Sequence, residues 1–184
     1  MNYSGISECD VLNGNGFRVA LFVSGCSHKC YNCQNPETWN KNFGNLFTEE
    51  TKQYIFDCLD KPYISGLTLT GGDPLNENNL EETLGLVNEI RSSFPQKTIW
   101  LYSGYYWEEI FEPSFTSQSQ EWIDKYLSDC EIRKQIIKQC DVMVDGRYVD
   151  SERDVSIPWR GSINQRVVDV QKSLEQNEVV LYCD

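Results

Sequence analysis

Three cysteines, Cys26, Cys30 and Cys33, fall within eight positions of the stretch "SGCSHKCYNCQN", residues 24–35. Thiolate ligands select zinc or iron-sulfur clusters over hard cations. A structural zinc ion takes four protein ligands. The loop offers its three cysteines and His28, the only histidine of the chain, between two of them. One short loop supplying all four corners of a tetrahedron would be badly strained. The other cysteines, at 9, 58, 130, 140 and 183, are scattered, and no second C-x-x-C pair completes a zinc ribbon. A cubane of four irons fits better: three thiolates hold three irons, and the fourth stays open to bind and activate a ligand. Zinc remains the alternative. His28 then reads as a neighbour of the site rather than a ligand.

A metal loop needs elements to hold it. "RVALFVSG" (18–25) is a continuous apolar run ending in Ser-Gly, as expected of a strand buried on both faces. Thr48 is a good N-cap, followed by Glu49 and Glu50, and Tyr54, Ile55, Cys58 and Leu59 form the apolar stripe of the helix after it. "LTLT" (67–70) is a short strand stopped by Gly71, Gly72 and Pro74, and Leu80, Leu84, Val87 and Ile90 then recur at helical spacing. "TIWLY" (98–102) is a third strand, again closed by Ser-Gly. A long helical region, broken or continuous, spans Trp122 to Cys140 after an exposed loop, 111–120. "VMV" (142–144) is a fourth strand, ended by Asp145 and Gly146.

Alternating strands and helices predict an α/β fold with a parallel sheet and flanking helices. Such sheets bind ligands at the carboxyl ends of their strands. Cys26, the run Gly71 to Asp73, and Ser103 with Gly104 each follow a predicted strand, so three loops should converge on one rim. Gly-Gly-Asp-Pro is good turn chemistry anywhere, but after a strand and below a cysteine loop it also suits a ligand site.

The 184 residues fit one domain, residues 1–184, able to bury a core without staples. A formal charge of −12, with no basic stripe, argues against nucleic acid as a partner. The N-terminus reads as no signal peptide, and the longest apolar run, Val19 to Val23, is far below a membrane span. A cytoplasmic, reducing setting is therefore expected, where eight cysteines read as ligands or buried apolar residues. Cys58, Cys130 and Cys140 lie on apolar helical faces, where cysteine behaves as a small hydrophobe.

The spacing Cys26-x3-Cys30-x2-Cys33 after a first strand resembles the cluster motif of the radical S-adenosylmethionine superfamily. The blocks 13–39, "LTGGDPL" (69–75), "WLYSGY" (100–105), "VDGRY" (144–148) and "WRGSINQR" (159–166) together resemble the glycyl-radical-enzyme activases that serve anaerobic ribonucleoside-triphosphate reductase. That resemblance implies a partial, open α/β barrel and a [4Fe-4S] cluster on Cys26, Cys30 and Cys33. S-adenosylmethionine would lie on Asn32, Cys33, Gln34, Gly71, Gly72, Asp73 and Ser103, with Asp73 accepting from its ammonium. The implied reaction cleaves S-adenosylmethionine reductively to a 5′-deoxyadenosyl radical, which leaves a glycyl radical on the reductase. The implied partners are the glycyl radical subunit of the reductase, an electron donor such as reduced flavodoxin, and a second copy of the chain within a larger complex.

Competing readings are an activase of another glycyl radical enzyme, of the pyruvate formate-lyase type, and a non-catalytic iron-sulfur or zinc module. The chain departs from the resemblance in two places. Asn32 stands where the superfamily often has an aromatic residue, and the regions 111–139 and after Val170 are longer than usual. "RGSINQR" reads equally as a polar turn with buried hydrogen bonds or as a partner contact.

Overall fold

The computed structural model describes residues 1–183. Seven strands form one mixed sheet: β1 (Asn2–Asp10), β2 (Phe17–Val23), β3 (Asn45–Leu46), β4 (Ile64–Gly71), β5 (Thr98–Tyr102), β6 (Val142–Asp145) and β7 (Arg166–Asp169). Their order is β3-β1-β2-β4-β5-β6-β7. The central four, β2, β4, β5 and β6, are mutually parallel, as the alternation of strands and helices predicts. The edges are antiparallel: β1 pairs with β2 and β3 on one side, and β7 with β6 on the other. The sheet is therefore parallel only at its centre.

Pleating sends alternate side chains to opposite faces. Val19, Leu21 and Val23 of β2, Leu67 and Leu69 of β4, Ile99 and Leu101 of β5, and Met143 of β6 join one core. The helices α1 (Glu49–Leu59), α2 (Leu80–Ser93), α3 (Trp107–Phe111), α4 (Gln120–Lys138) and α5 (Val170–Gln176) contribute Ile55, Leu86, Ile90, Ile110, Ile136 and Val170 to it. Thr48 caps α1 by accepting the Thr51 N–H at 3.3 Å. The region after residue 120 is one continuous helix of 19 residues. No helix among the described residues is long and apolar enough to cross a membrane.

The opposite face is different. A smaller cluster of Trp100, Val142, Val144 and Val167 covers its lower part, with Tyr102 and Trp159 packed against it. Beside Trp100 lies the fully buried Arg18, its guanidinium 5.4 Å from the ring centroid. Arg18 donates to the Thr68 hydroxyl at 2.7 Å and to the Leu67 and Thr98 carbonyls at 2.6 and 2.9 Å. Desolvation lowers its pKa to about 10, and these acceptors compensate the buried charge. Above that plug the face opens into a cavity at the carboxyl ends of the parallel strands.

Candidate metal and ligand site

The cysteine loop leaves β2 and returns through a 3₁₀ turn, Pro36–Trp39. Its base is tied by Gly25 N–H to Thr38 O at 2.7 Å and Cys26 N–H to Trp39 O at 3.4 Å. Lys29 and Asn32 adopt left-handed conformations, with φ of 49° and 54°, just before the second and third cysteines. Asparagine tolerates that region better than most side chains. The turn closes with Cys33 N–H donating to Cys30 O at 3.1 Å, and the Asn35 N–H points to Cys33 Sγ at 3.4 Å.

All eight cysteines are free thiols. Burial, and then the charge of Asp73, pushes the Cys26 thiol up to about 12. Burial also raises Cys30, opposed by a backbone hydrogen bond from Tyr148. Such thiols become ligands only when a cation offsets the lost proton. Among the described residues no three His, Cys, Asp or Glu side chains converge on one point that could hold a metal ion. Cys26, Cys30 and Cys33 nevertheless all border one cavity, and thiolates are the donors that iron-sulfur clusters take.

The Gly71–Pro74 turn abuts this loop. Gly72 N–H donates to Val23 O at 2.7 Å, and Asp73 N–H to Gly25 O at 2.9 Å. A Cβ at Gly72 would lie 2.8 Å from the Gly25 carbonyl oxygen, so the close approach of the two strand ends itself requires glycine. The Asp73 carboxylate is buried and heavily engaged. It accepts from Leu75 N–H at 2.8 Å, the Ser103 hydroxyl at 2.9 Å, Gly104 N–H at 3.1 Å and His28 Nε2 at 2.8 Å. Asp73 therefore pins three loops together, and its lone pairs already have donors.

These loops border a cavity of about 560 Å³, within the usual range for small-ligand pockets. Cys26, Cys30, Cys33, Gln34, Gly71, Gly72, Asp73 and Ser103 all line it. Asn32 does not: its exposed side-chain amide donates to the Asp150 carboxylate at 3.1 Å. Its backbone conformation, not its side chain, is what the loop uses.

The far wall was not anticipated as part of the site. It comes from the segment 146–165, including Tyr148, Val155, Ile157, Trp159, Arg160, Gly161 and Gln165. "RGSINQR" is a polar turn with internal hydrogen bonds. Gln165 Oε1 accepts from Gly161 N–H at 2.9 Å and Gln165 Nε2 donates to Gly146 O at 2.9 Å, while the Asn164 amide reaches Arg147 O at 2.8 Å. Arg166 holds the buried Asp145 at 3.0 Å. The density of polar residues around Gly161 marked a turn, but nothing in the sequence aimed it at the cysteines.

Residues 12–168 match the family model of the 4Fe-4S single cluster domain. The chain is 44% identical over 167 residues to the anaerobic ribonucleoside-triphosphate reductase-activating protein of Enterobacteria phage T4, covering 91% of this chain and 93% of that protein. It is 37% identical to the protein of the same name from Escherichia coli (strain K12), covering 91% and 97%. It is 36% identical to that of Haemophilus influenzae, covering 90% and 96%.

Proposed function

Because this chain belongs to the family of anaerobic ribonucleoside-triphosphate reductase-activating proteins, with its 4Fe-4S single cluster domain, we propose that it activates such a reductase by radical chemistry at the cavity described above. The observation that carries this reading is the convergence of three free thiols, a Gly-Gly-Asp turn and Ser103 on one cavity at the carboxyl ends of parallel strands. The mixed sheet is read as a partial, open barrel, with residues 1–184 as one radical S-adenosylmethionine domain.

Cys26, Cys30 and Cys33 would hold a [4Fe-4S] cluster with one iron free of protein ligands. The chemistry such a cluster would supply is one electron to the sulfonium of S-adenosylmethionine, whose carbon–sulfur bond would break to give methionine and a 5′-deoxyadenosyl radical. The chain's own residues prepare that event. Cys33, Gln34, Gly71, Gly72 and Ser103 form the ligand surface, while Asp73 positions Ser103, Gly104 and His28 around it. Asn32 serves by its left-handed turn. Leu12, Val155, Ile157 and Trp159 border the cavity with apolar side chains, Leu12 and Val155 themselves well exposed. The 5′-deoxyadenosyl radical would take the α-carbon hydrogen of a glycine on the reductase's glycyl radical subunit, becoming 5′-deoxyadenosine and leaving the glycyl radical. An electron donor such as reduced flavodoxin, a cytoplasmic setting and a homodimer within the reductase complex complete the reading.

Metal analysis with turnover tests it. After anaerobic reconstitution about four irons and four sulfides per chain are expected, and dithionite should then convert S-adenosylmethionine to methionine and 5′-deoxyadenosine. One zinc per chain, with no visible absorbance and no cleavage, would overturn the proposal.

A further inference from the structure

The two edges of the sheet are finished differently. At the β7 edge the segment 180–182 continues the sheet: Asp169 N–H donates to Val180 O at 2.8 Å and Tyr182 N–H to Val167 O at 2.7 Å, with Leu181 bridged to Val168. At the opposite edge β3 covers only Asn2 and Tyr3 of β1. Among the described residues no hydrogen bond reaches the outer side of the backbone from Ser4 to Asp10. A free edge is a template for pairing, and soluble proteins guard it with lysine, proline or a covering segment. The strand "NYSGISECD" contains no Lys, Arg or Pro. Its bulges, between Tyr3 and Gly5 and beyond Ser7, bend it, but Gly5, Ile6 and Ser7 keep regular register with Phe22, Leu21 and Ala20.

Exposed apolar side chains flank this edge. Leu46 stands on β3 beside Asn2, Phe43 just before it, and Val11 just after β1, while Tyr54 of α1 donates its hydroxyl to Glu8. A Cβ at Gly5 would meet nothing within 4 Å, so the middle of the strand has room beside it. Charge selects the occupant. The chain carries −12, yet β1 can meet a second β1 without acid facing acid. Around a two-fold axis within Gly5–Ser7, antiparallel pairing sets Glu8 opposite Asn2, Ser4 or Ile6 of the other copy. Asp10 likewise meets no acid there, and Lys61 lies 3.4 Å from the Glu8 carboxylate. Two-fold pairing also makes every backbone hydrogen bond twice.

We propose that the free edge of β1 is the surface on which two copies of this chain pair, antiparallel, so that one sheet runs through the dimer. The inference rests on the homodimer of the proposed function for its second copy and assigns that copy a place. The cysteine loop leaves β2, the neighbour of β1, so each cavity lies one strand in from the shared edge.

Charge swapping at Ser7 tests the surface, because the two Ser7 side chains fall on one face of the joined sheet close to the axis. Sedimentation velocity of the full chain, metal-free and reconstituted, measures association, with near-ultraviolet circular dichroism and the thermal midpoint as checks on folding. Wild type should sediment as a dimer. Ser7→Lys and Ser7→Glu should each weaken self-association about 10-fold or more through like charges brought together. An equimolar mixture of the two variants should dimerise again, since lysine then meets glutamate. A wild-type dimer unchanged by either substitution would overturn the β1 surface while leaving the homodimer of the proposed function standing. Loss in both variants with no recovery on mixing would also overturn it, because repulsion across a shared edge must reverse when the charges are opposite. Wild-type protein that stays monomeric would overturn both the surface and the homodimer, and leave the edge to an extended segment of another protein.

Discussion

His28 Nε2 donates to the Asp73 carboxylate across 2.8 Å, with both side chains largely enclosed. This contact ties the cysteine loop to the Gly71–Pro74 turn. The same carboxylate accepts from Ser103 and Gly104, so one side chain joins the loops that follow three parallel strands. The three loops are thereby held together by the chain's own side chains.

Asp73→Ala removes the shared acceptor and leaves buried donors from Leu75, Ser103 and Gly104 unpaired. A loss of about 3 kcal/mol or more is expected in urea unfolding of the metal-free chain. His28→Ala removes one of these bonds and should cost about 1–3 kcal/mol. Equal stability of the Asp73 variant and wild type would show that the turn holds without it.

Replacing Cys26, Cys30 or Cys33 by alanine should abolish iron retention after reconstitution without unfolding the chain. Cys58→Ala, in the helical core, should retain full iron and cleavage and lose only about 1 kcal/mol of stability. Iron and sulfide analysis separates the two groups. A variant of the triad that still cleaved S-adenosylmethionine under dithionite would refute the ligand assignment.

Asn32 carries φ of 54°, so its substitutions should sort by backbone rather than by side-chain chemistry. Asn32→Gly should preserve cluster retention, whereas Asn32→Val should cost about 1–2 kcal/mol through its Cβ and lower the iron content. Similar behaviour of glycine and valine variants would count against the turn as the reason for this residue.

The metal-free chain should lose stability in mild alkali. Burial raises the folded pKa of Cys26 to about 12 and raises those of Cys30 and Cys140 as well. Unfolded thiols release protons near pH 8.5, so above it the native state binds more protons and stability falls as pH rises. Thermal midpoints should therefore drop between about pH 8 and about pH 9.5. In the proposed holoprotein iron takes the place of the three loop protons, so the reconstituted protein should show a smaller drop over the same window.

Much of this was legible in the sequence, for identifiable reasons. β2, β4, β5 and β6 announce themselves because strands covered by helices and core read as short apolar runs. β1 does not: "NYSGISECD" is polar and half-exposed along its length, and only backbone pairing with β2 makes it a strand. That pairing, with the antiparallel β7, turns the expected parallel sheet into a mixed one. That the three cysteines border one cavity was readable from their spacing in a single loop, and the convergence of three loops followed from strand order. The far wall was not readable. Where Arg160 points depends on the left-handed Trp159 and on Gln165 bracing Gly146 and Gly161, contacts that no local pattern encodes. Asn32 drew attention for its position in the loop, yet its side chain turns away to Asp150.

The central claim is that this cavity places a radical on a reductase. Its most direct test is electron spin resonance of the reconstituted protein mixed anaerobically with its cognate reductase subunit, reductant and S-adenosylmethionine. A glycyl radical doublet on the reductase, absent when Cys26, Cys30 or Cys33 is replaced, is the expected result. S-adenosylmethionine cleavage with no radical on that subunit would contradict the claim.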